Sequence, residues 1–231
     1  MEEFKSYYEL ARGRADLYGF FSGIYLNEPT KELVDKFTEE EFIANLGQVF
    51  DEASLTPLKD FARDFKGDYA GVKQEFQDLF VVPGPKYLTP YESVYITDMM
   101  MQEPLIGVRR MHSRASAKQQ GQSLYALAED YIGLELDFLR VLCEREATAW
   151  AEERKADALS FVELEVEFQR EHLMKWIADF CAKTKELARL DLYPSISALT
   201  QEYVESDHKV ATNLLDESEV VTLPVVETIN K

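Results

Sequence analysis

Cysteine is scarce in this sequence: Cys143 and Cys181 stand alone among 231 residues, with no CxxC and no multi-cysteine framework. That excludes a disulfide scaffold or thiolate metal knot and reads as two reduced core thiols of a cytoplasmic protein. Basic residues are also few, 25 Lys and Arg against 43 Asp and Glu, leaving a formal charge of −18. Such a chain repels a phosphate backbone, so neither nucleic acid nor an anionic membrane is expected as a partner, and a basic peptide is. None of the glycines falls in a GxGxxG or Walker-type phosphate loop, and GxSxG and HExxH are missing. Histidine is limited to His112, His172 and His208. The single Glu-x-x-His pair, Glu205 and His208, lacks the second pair and the two further glutamates of a di-iron bundle. No catalytic residue, metal or cofactor is therefore expected. No apolar run reaches the ~18 residues of a membrane span, and the opening Met1-Glu2-Glu3-Phe4-Lys5 lacks the basic-then-apolar order of a secretory signal.

What the chain has in abundance is helical period. Phe4, Tyr7, Tyr8, Ala11, Ala15, Tyr18, Phe21, Ile24 and Tyr25 recur every three or four residues and predict a long first helix. Gly19 and Gly23 within it are expected to admit a neighbouring helix. Thr38 with Glu41 reads as a capping box, Thr56-Pro57 as a helix start and Asp68 as an N-cap. The stretch from Val82 to Tyr91 carries three prolines and a glycine and must be a loop, unusually aromatic for a connection. Helix resumes near Pro104 and fades in the polar stretch Ser113 to Ser123. Further helices are predicted at about 129–153, 156–169, 171–190 and from Ile196 through Val204. Glu163, Glu165 and Glu167 read as a solvated face. With no internal repeat and no βαβ alternation, the expectation is an all-α domain of roughly eight to ten helices. It spans 1–207 in two helical halves joined near 113–130, with 208–231 a loosely held tail.

The middle of the chain departs from ordinary helical patterning. Pro90-Tyr91-Glu92-Ser93-Val94-Tyr95 follows the proline-rich loop, and Asp130 to Leu139 follows later. Loops carrying large aromatics and a carboxylate tend to be binding surfaces. This motif, with Phe80 and Pro83-Gly84-Pro85 upstream and His172-Leu173-x-x-Trp176, Phe180 and Tyr193 downstream, resembles the TorD/DmsD/NarJ-type chaperones, redox-enzyme maturation proteins that serve molybdoenzymes. The resemblance covers the chain to about Asp207. It departs at the family's hinge motif, typically Glu-Pro-x-Asp-His, where Leu127-Ala128-Glu129-Asp130-Tyr131 retains only the aspartate.

The resemblance implies an all-helical, non-enzymatic protein. Such a protein binds the twin-arginine leader, the body, or both, of a molybdopterin-dependent oxidoreductase subunit until molybdenum cofactor is inserted. It occurs as a monomer or a domain-swapped homodimer, and an exchange would pivot near Ser113 to Ser123. The acidic partners expected for the leader are Glu92 and Asp130, with Glu135 and Asp137 in reserve. Pro90, Tyr91, Ser93, Tyr95, Phe76, Phe80 and Tyr131 complete the peptide site, the aromatics as its apolar wall. For each aromatic the alternative is core packing; for Glu92 it is a helix N-terminal carboxylate, and for Asp130 an N-cap of the long helix. Burying about three aliphatic side chains, at ~1.5–3 kcal/mol each, outweighs one charge-assisted hydrogen-bonded pair of ~1.5–3 kcal/mol. The apolar stretch should thus carry affinity and the arginines selectivity. Two rivals are a NarJ-like assembly factor for a non-exported subunit and a nucleotide-binding enzyme, the latter because some family members are proposed to bind GTP.

Overall fold

A computed structural model describes residues 2–115 and 127–221; most of the expected pivot, Ser113 to Ser123, lies outside them. The described residues are helical with no strand, as expected. Helix α1 (Glu2–Leu26) is followed by α2 (Lys31–Lys36), α3 (Glu40–Leu46), α4 (Glu52–Asp64) and α5 (Tyr69–Phe76), the last running into a π-helical turn, Gln77–Val81. After the proline-rich loop come α6 (Glu92–Thr97) and α7 (Glu103–Arg114). The second half holds α8 (Ile132–Ala151), α9 (Lys155–Glu171), a 3₁₀ turn (Leu173–Lys175), α10 (Ile177–Leu187) and α11 (Leu192–Val221).

Local chemistry sets the starts of α2, α4 and α5. Thr30, Asp51 and Asp68 each accept a hydrogen bond from the backbone N–H three residues on, satisfying a donor the helix leaves open. The Thr38 capping box does not form, because the Thr38 hydroxyl turns back to the Asp35 carbonyl at 2.7 Å. Pro57 lies inside α4 and does not open it, since Asp51 has already capped the helix upstream.

α1 packs along α8, α8 against α9, and α11 against α9, α10 and α4. α8 is buried almost all round, the pattern of a central helix. Gly133 lets α1 in: a Cβ there would lie 2.8 Å from Leu26. Gly19 faces the Arg140 side chain in the same way, whereas Gly23 meets open space. Cys143 and Cys181 are free thiols.

A single buried cation ties the long helices together. Arg14 of α1 contacts Glu146 of α8 at 2.7 Å, Glu165 of α9 at 2.5 Å and Asp207 of α11 at 2.6 Å. Glu165 is therefore fully buried and not on a solvated face; the reading holds for exposed Glu163 alone of the three, since Glu167 is half-buried against Arg114. Asp207 also explains why the last helix runs on. It looks like the end of an apolar stripe, but Tyr203, Asp207 and Ala211 are all buried at helical spacing, and α11 continues to Val221. The rest of the expected tail, 222–231, lies outside the described residues.

Candidate functional site

Two segments 40 residues apart start helices side by side. Glu92 N–H donates to the Asp130 carbonyl at 2.9 Å and Ile132 N–H to the Pro90 carbonyl at 3.0 Å, making an isolated antiparallel bridge between Tyr91 and Tyr131. The rings of those tyrosines meet edge to face at 5.3 Å, and the Tyr131 hydroxyl donates to the Tyr25 carbonyl near the end of α1 at 2.8 Å. Tyr91 cannot cap α6 itself. Asp130 does so across the bridge, its Oδ2 accepting from Ser93 N–H at 3.1 Å. Asp130 is thus a cap, but of α6 and not of the long helix that follows it.

The acidic groups gather behind this bridge. Glu92, in the first turn of α6, is 2% exposed and its Oε2 lies 2.8 Å from His172 Nδ1. Glu135, one turn into α8, is fully buried and accepts from Trp176 Nε1 at 3.2 Å. Burial first, then the nearby Glu92 and Asp130 carboxylates, push the Glu135 carboxyl well above the usual carboxylate range. Asp130 Oδ1, Glu135 Oε1 and Ser93 Oγ have no hydrogen-bond partner among the described residues. His172 sits at the end of α9 against Gly107 of α7, where a Cβ would come within 2.8 Å of its ring.

Glu92 and His172 form the floor of a cleft of about 260 Å³ lined also by Ile96, Glu103, Pro104 and Arg110. Of the three cations that line it, Arg114 pairs with Glu167 at 2.5 Å and Lys175 with Glu171 at 2.8 Å, while Arg110 is exposed and makes no ion pair among the described residues. A larger cleft, about 510 Å³ between α3 and α4, is lined by Ile43, Ala62, Lys59 and Arg63, and no buried charged group borders it.

The structure brings Pro90, Tyr91, Glu92, Ser93, Asp130, Tyr131 and Glu135 into one knot. It does not make the aromatics an exposed wall. Phe76 and Phe80 are buried against Tyr193, with Phe80 also 5.7 Å from Tyr25; their helical spacing points them into the core because α11 and α1 cover that face. Tyr91 and Tyr131 are likewise buried. Tyr95 alone of these aromatics is half-exposed, 5.1 Å from Trp176 and lining a separate shallow cleft with Asp98, Asp179 and Lys183. Asp137 is outside the knot, bound to Arg140 at 2.7 Å. Sequence reasoning missed the pairing of His172 with Glu92, which only the packing of α9 on α7 reveals. Cys143, Glu146 and Glu165 lie close enough to ligate a metal, but the Arg14 guanidinium already bridges Glu146 and Glu165 and takes the cation's place.

A family model described as nitrate reductase delta subunit matches residues 44–182. The chaperone protein TorD of Vibrio cholerae serotype O1 is 24% identical over 213 residues, covering 89% of this chain and 94% of that protein. The chaperone protein TorD of Vibrio vulnificus is 26% identical over 223 residues, covering 91% and 99%. That of Vibrio parahaemolyticus is 25% identical over 219 residues, covering 90% and 97%.

Proposed function

The chain belongs to the nitrate reductase delta subunit family, a family of chaperones and not of enzymes, and we propose on that premise that it holds the apo catalytic subunit of a molybdoenzyme in the cytoplasm until molybdenum cofactor is inserted. In this reading the client is gripped in part through its twin-arginine leader, and the protein works by reversible binding.

The observation that carries the leader reading is the Glu92 carboxylate on the cleft floor, buried and engaged by an imidazole. A guanidinium presents a planar fork that a carboxylate accepts in two parallel hydrogen bonds, and it stays charged at every physiological pH. An incoming arginine can take the place of His172 at Glu92. Asp130 and Glu135, Tyr91, Tyr131 and Ser93 act through Glu92, by fixing the start of α6 that presents it. Phe76, Phe80 and Asp137 support the scaffold, and Tyr95 marks a second face the client can touch. The excess of acid over base across the chain favours a basic segment in general.

Calorimetric titration with a twin-arginine leader peptide from a molybdoreductase of the same genome, and with both its arginines changed to lysine, tests this. Micromolar binding, weaker for the lysine peptide and at least about tenfold weaker for Glu92→Gln, a loss of ~1.4 kcal/mol, is the expected result. No binding to any leader would sink it. The match to a family described as nitrate reductase delta subunit also fits a second reading, an assembly factor for a reductase subunit without a leader; binding to a leaderless apo subunit, with none to the leader peptide, would establish that one.

A further inference from the structure

Half of the large apolar side chains exposed among the described residues fall in one short stretch: Ile96, Met99, Met100, Met101 and Ile106, from the end of α6 into α7. The others, Tyr8, Leu10, Val49, Val82 and Met174, are scattered along the chain. The three methionines are 58%, 42% and 68% exposed. Their turn is held outward by construction. Asp98 and Met101 bracket it with left-handed backbone, φ 59° in both, an uncommon conformation for a residue as bulky as methionine. The Thr97 hydroxyl reaches the Met99 carbonyl at 3.2 Å and the Gln102 amide donates to the Met100 carbonyl at 3.2 Å. Polar side chains are spent on the backbone while the thioethers face out.

The chemistry of the stretch selects its occupant. From Ile96 to Val108 there is no Lys or Arg, while Asp98 and Glu103 carry negative charge; in the adjoining cleft Arg114 and Lys175 are paired with Glu167 and Glu171 beside Arg110, so the methionine stretch itself favours an apolar segment with basic residues over an acidic segment or an anionic lipid surface. Unbranched methionine adapts to differing apolar sequences better than branched side chains do. The stretch is also continuous with the cleft: Ile96, Glu103 and Pro104 line the space above Glu92 and His172. Cations in the cleft and apolar side chains on the methionines therefore fit one chain in which the two follow each other.

We propose that the Ile96 to Ile106 stretch is the docking surface for the apolar part of the client's leader, with the methionines as its adaptable contact. This rests on the leader reading above and names the surface that would supply most of the affinity.

The test is calorimetric titration of the twin-arginine leader peptide into the full chain, into Met99→Ser/Met100→Ser/Met101→Ser and into Met99→Leu/Met100→Leu/Met101→Leu, with circular dichroism confirming unchanged helicity. The serine variant should bind at least about tenfold more weakly because apolar burial is lost, and the leucine variant within about threefold of the parent. Parent and serine variant binding alike would overturn the surface while leaving the leader reading intact. A parent that binds no leader overturns both. Concentration-dependent dimerisation of the parent that the serine variant abolishes, with leader binding unchanged, would reassign the stretch to a contact between two copies of the chain.

Discussion

Glu165 should make this protein less stable as pH rises through neutrality, the opposite of ordinary acid denaturation. One guanidinium, Arg14, faces three carboxylates that are each at most 2% exposed. They are unequally served. Asp207 also accepts from the Tyr18 hydroxyl at 2.7 Å and the Gln169 amide at 2.8 Å, and Glu146 accepts from Trp150 Nε1 at 2.9 Å. Glu165 has Arg14 on one oxygen and, among the described residues, no partner on the other. Burial, the largest cause, outweighs the pull of Arg14, and with added repulsion from Glu146 and Asp207 the carboxyl is pushed from 4.5 up to about 8. Cys143, Tyr18 and Tyr203, which face the same cluster, are pushed up by burial and stay protonated throughout.

The folded protein therefore holds a proton that the unfolded chain releases. The resulting stability is full below pH 4.5 and is lost as pH climbs through about 8. At up to ~1.4 kcal/mol per pH unit, raising pH from about 6.5 to about 8 should cost roughly 1.5 kcal/mol. His112 and His208, lowered by burial, gain stability with rising pH, so the parent must be compared with Glu165→Gln, which keeps both histidines and imitates the neutral carboxyl. Urea unfolding at both pH values should show the parent losing that amount relative to the variant. Equal pH dependence of the two proteins would refute the argument.

Arg14→Met should be far more damaging, by about 3–5 kcal/mol, because it strands buried carboxylates; a denaturant midpoint close to the parent's would contradict this. Gly23→Ala meets nothing within 4 Å and should stabilise α1 by up to ~1 kcal/mol through helix propensity. Gly107→Ala offers the same propensity but drives a methyl against the His172 ring at 2.8 Å, so about 1–3 kcal/mol of overpacking should leave it less stable than the parent; thermal unfolding of the pair decides. Tyr131→Phe removes the donor to the buried Tyr25 carbonyl and should cost about 1–3 kcal/mol in chemical denaturation.

The helical class was legible because apolar spacing is a local property, and α1 follows its stripe closely. Asp68 was readable as a cap for the same reason. Where the reading strayed, a distant partner decided. Glu165 shares its pattern with exposed Glu163 and is told apart only by Arg14, 151 positions earlier. Thr38 had two local partners to choose between, the Glu41 N–H and the Asp35 carbonyl, and took the carbonyl. The spacing of Leu173, Trp176, Ile177 and Phe180 continues a helix on paper, yet the chain breaks there, with His172 at φ −123°, ψ −91°, and that break carries the His172 ring towards Glu92. The knot's membership was visible as a cluster of aromatic and acidic residues, but its inward orientation was not, since a buried tyrosine and a peptide-binding tyrosine look alike until the covering helix is known.

The Arg14 cluster, the Tyr91 and Tyr131 bridge and the contact of Glu92 with His172 share a property: each joins a residue before 115 to one after 127. The two parts of the chain are interlocked through their interiors rather than set edge to edge. A protease cut between them would leave a nicked complex still assembled, and the two pieces expressed separately should find each other and reconstitute one fold. Covalent continuity across the middle of the chain is then a matter of effective concentration, and the architecture is that of an obligate pair which happens to be encoded as one polypeptide.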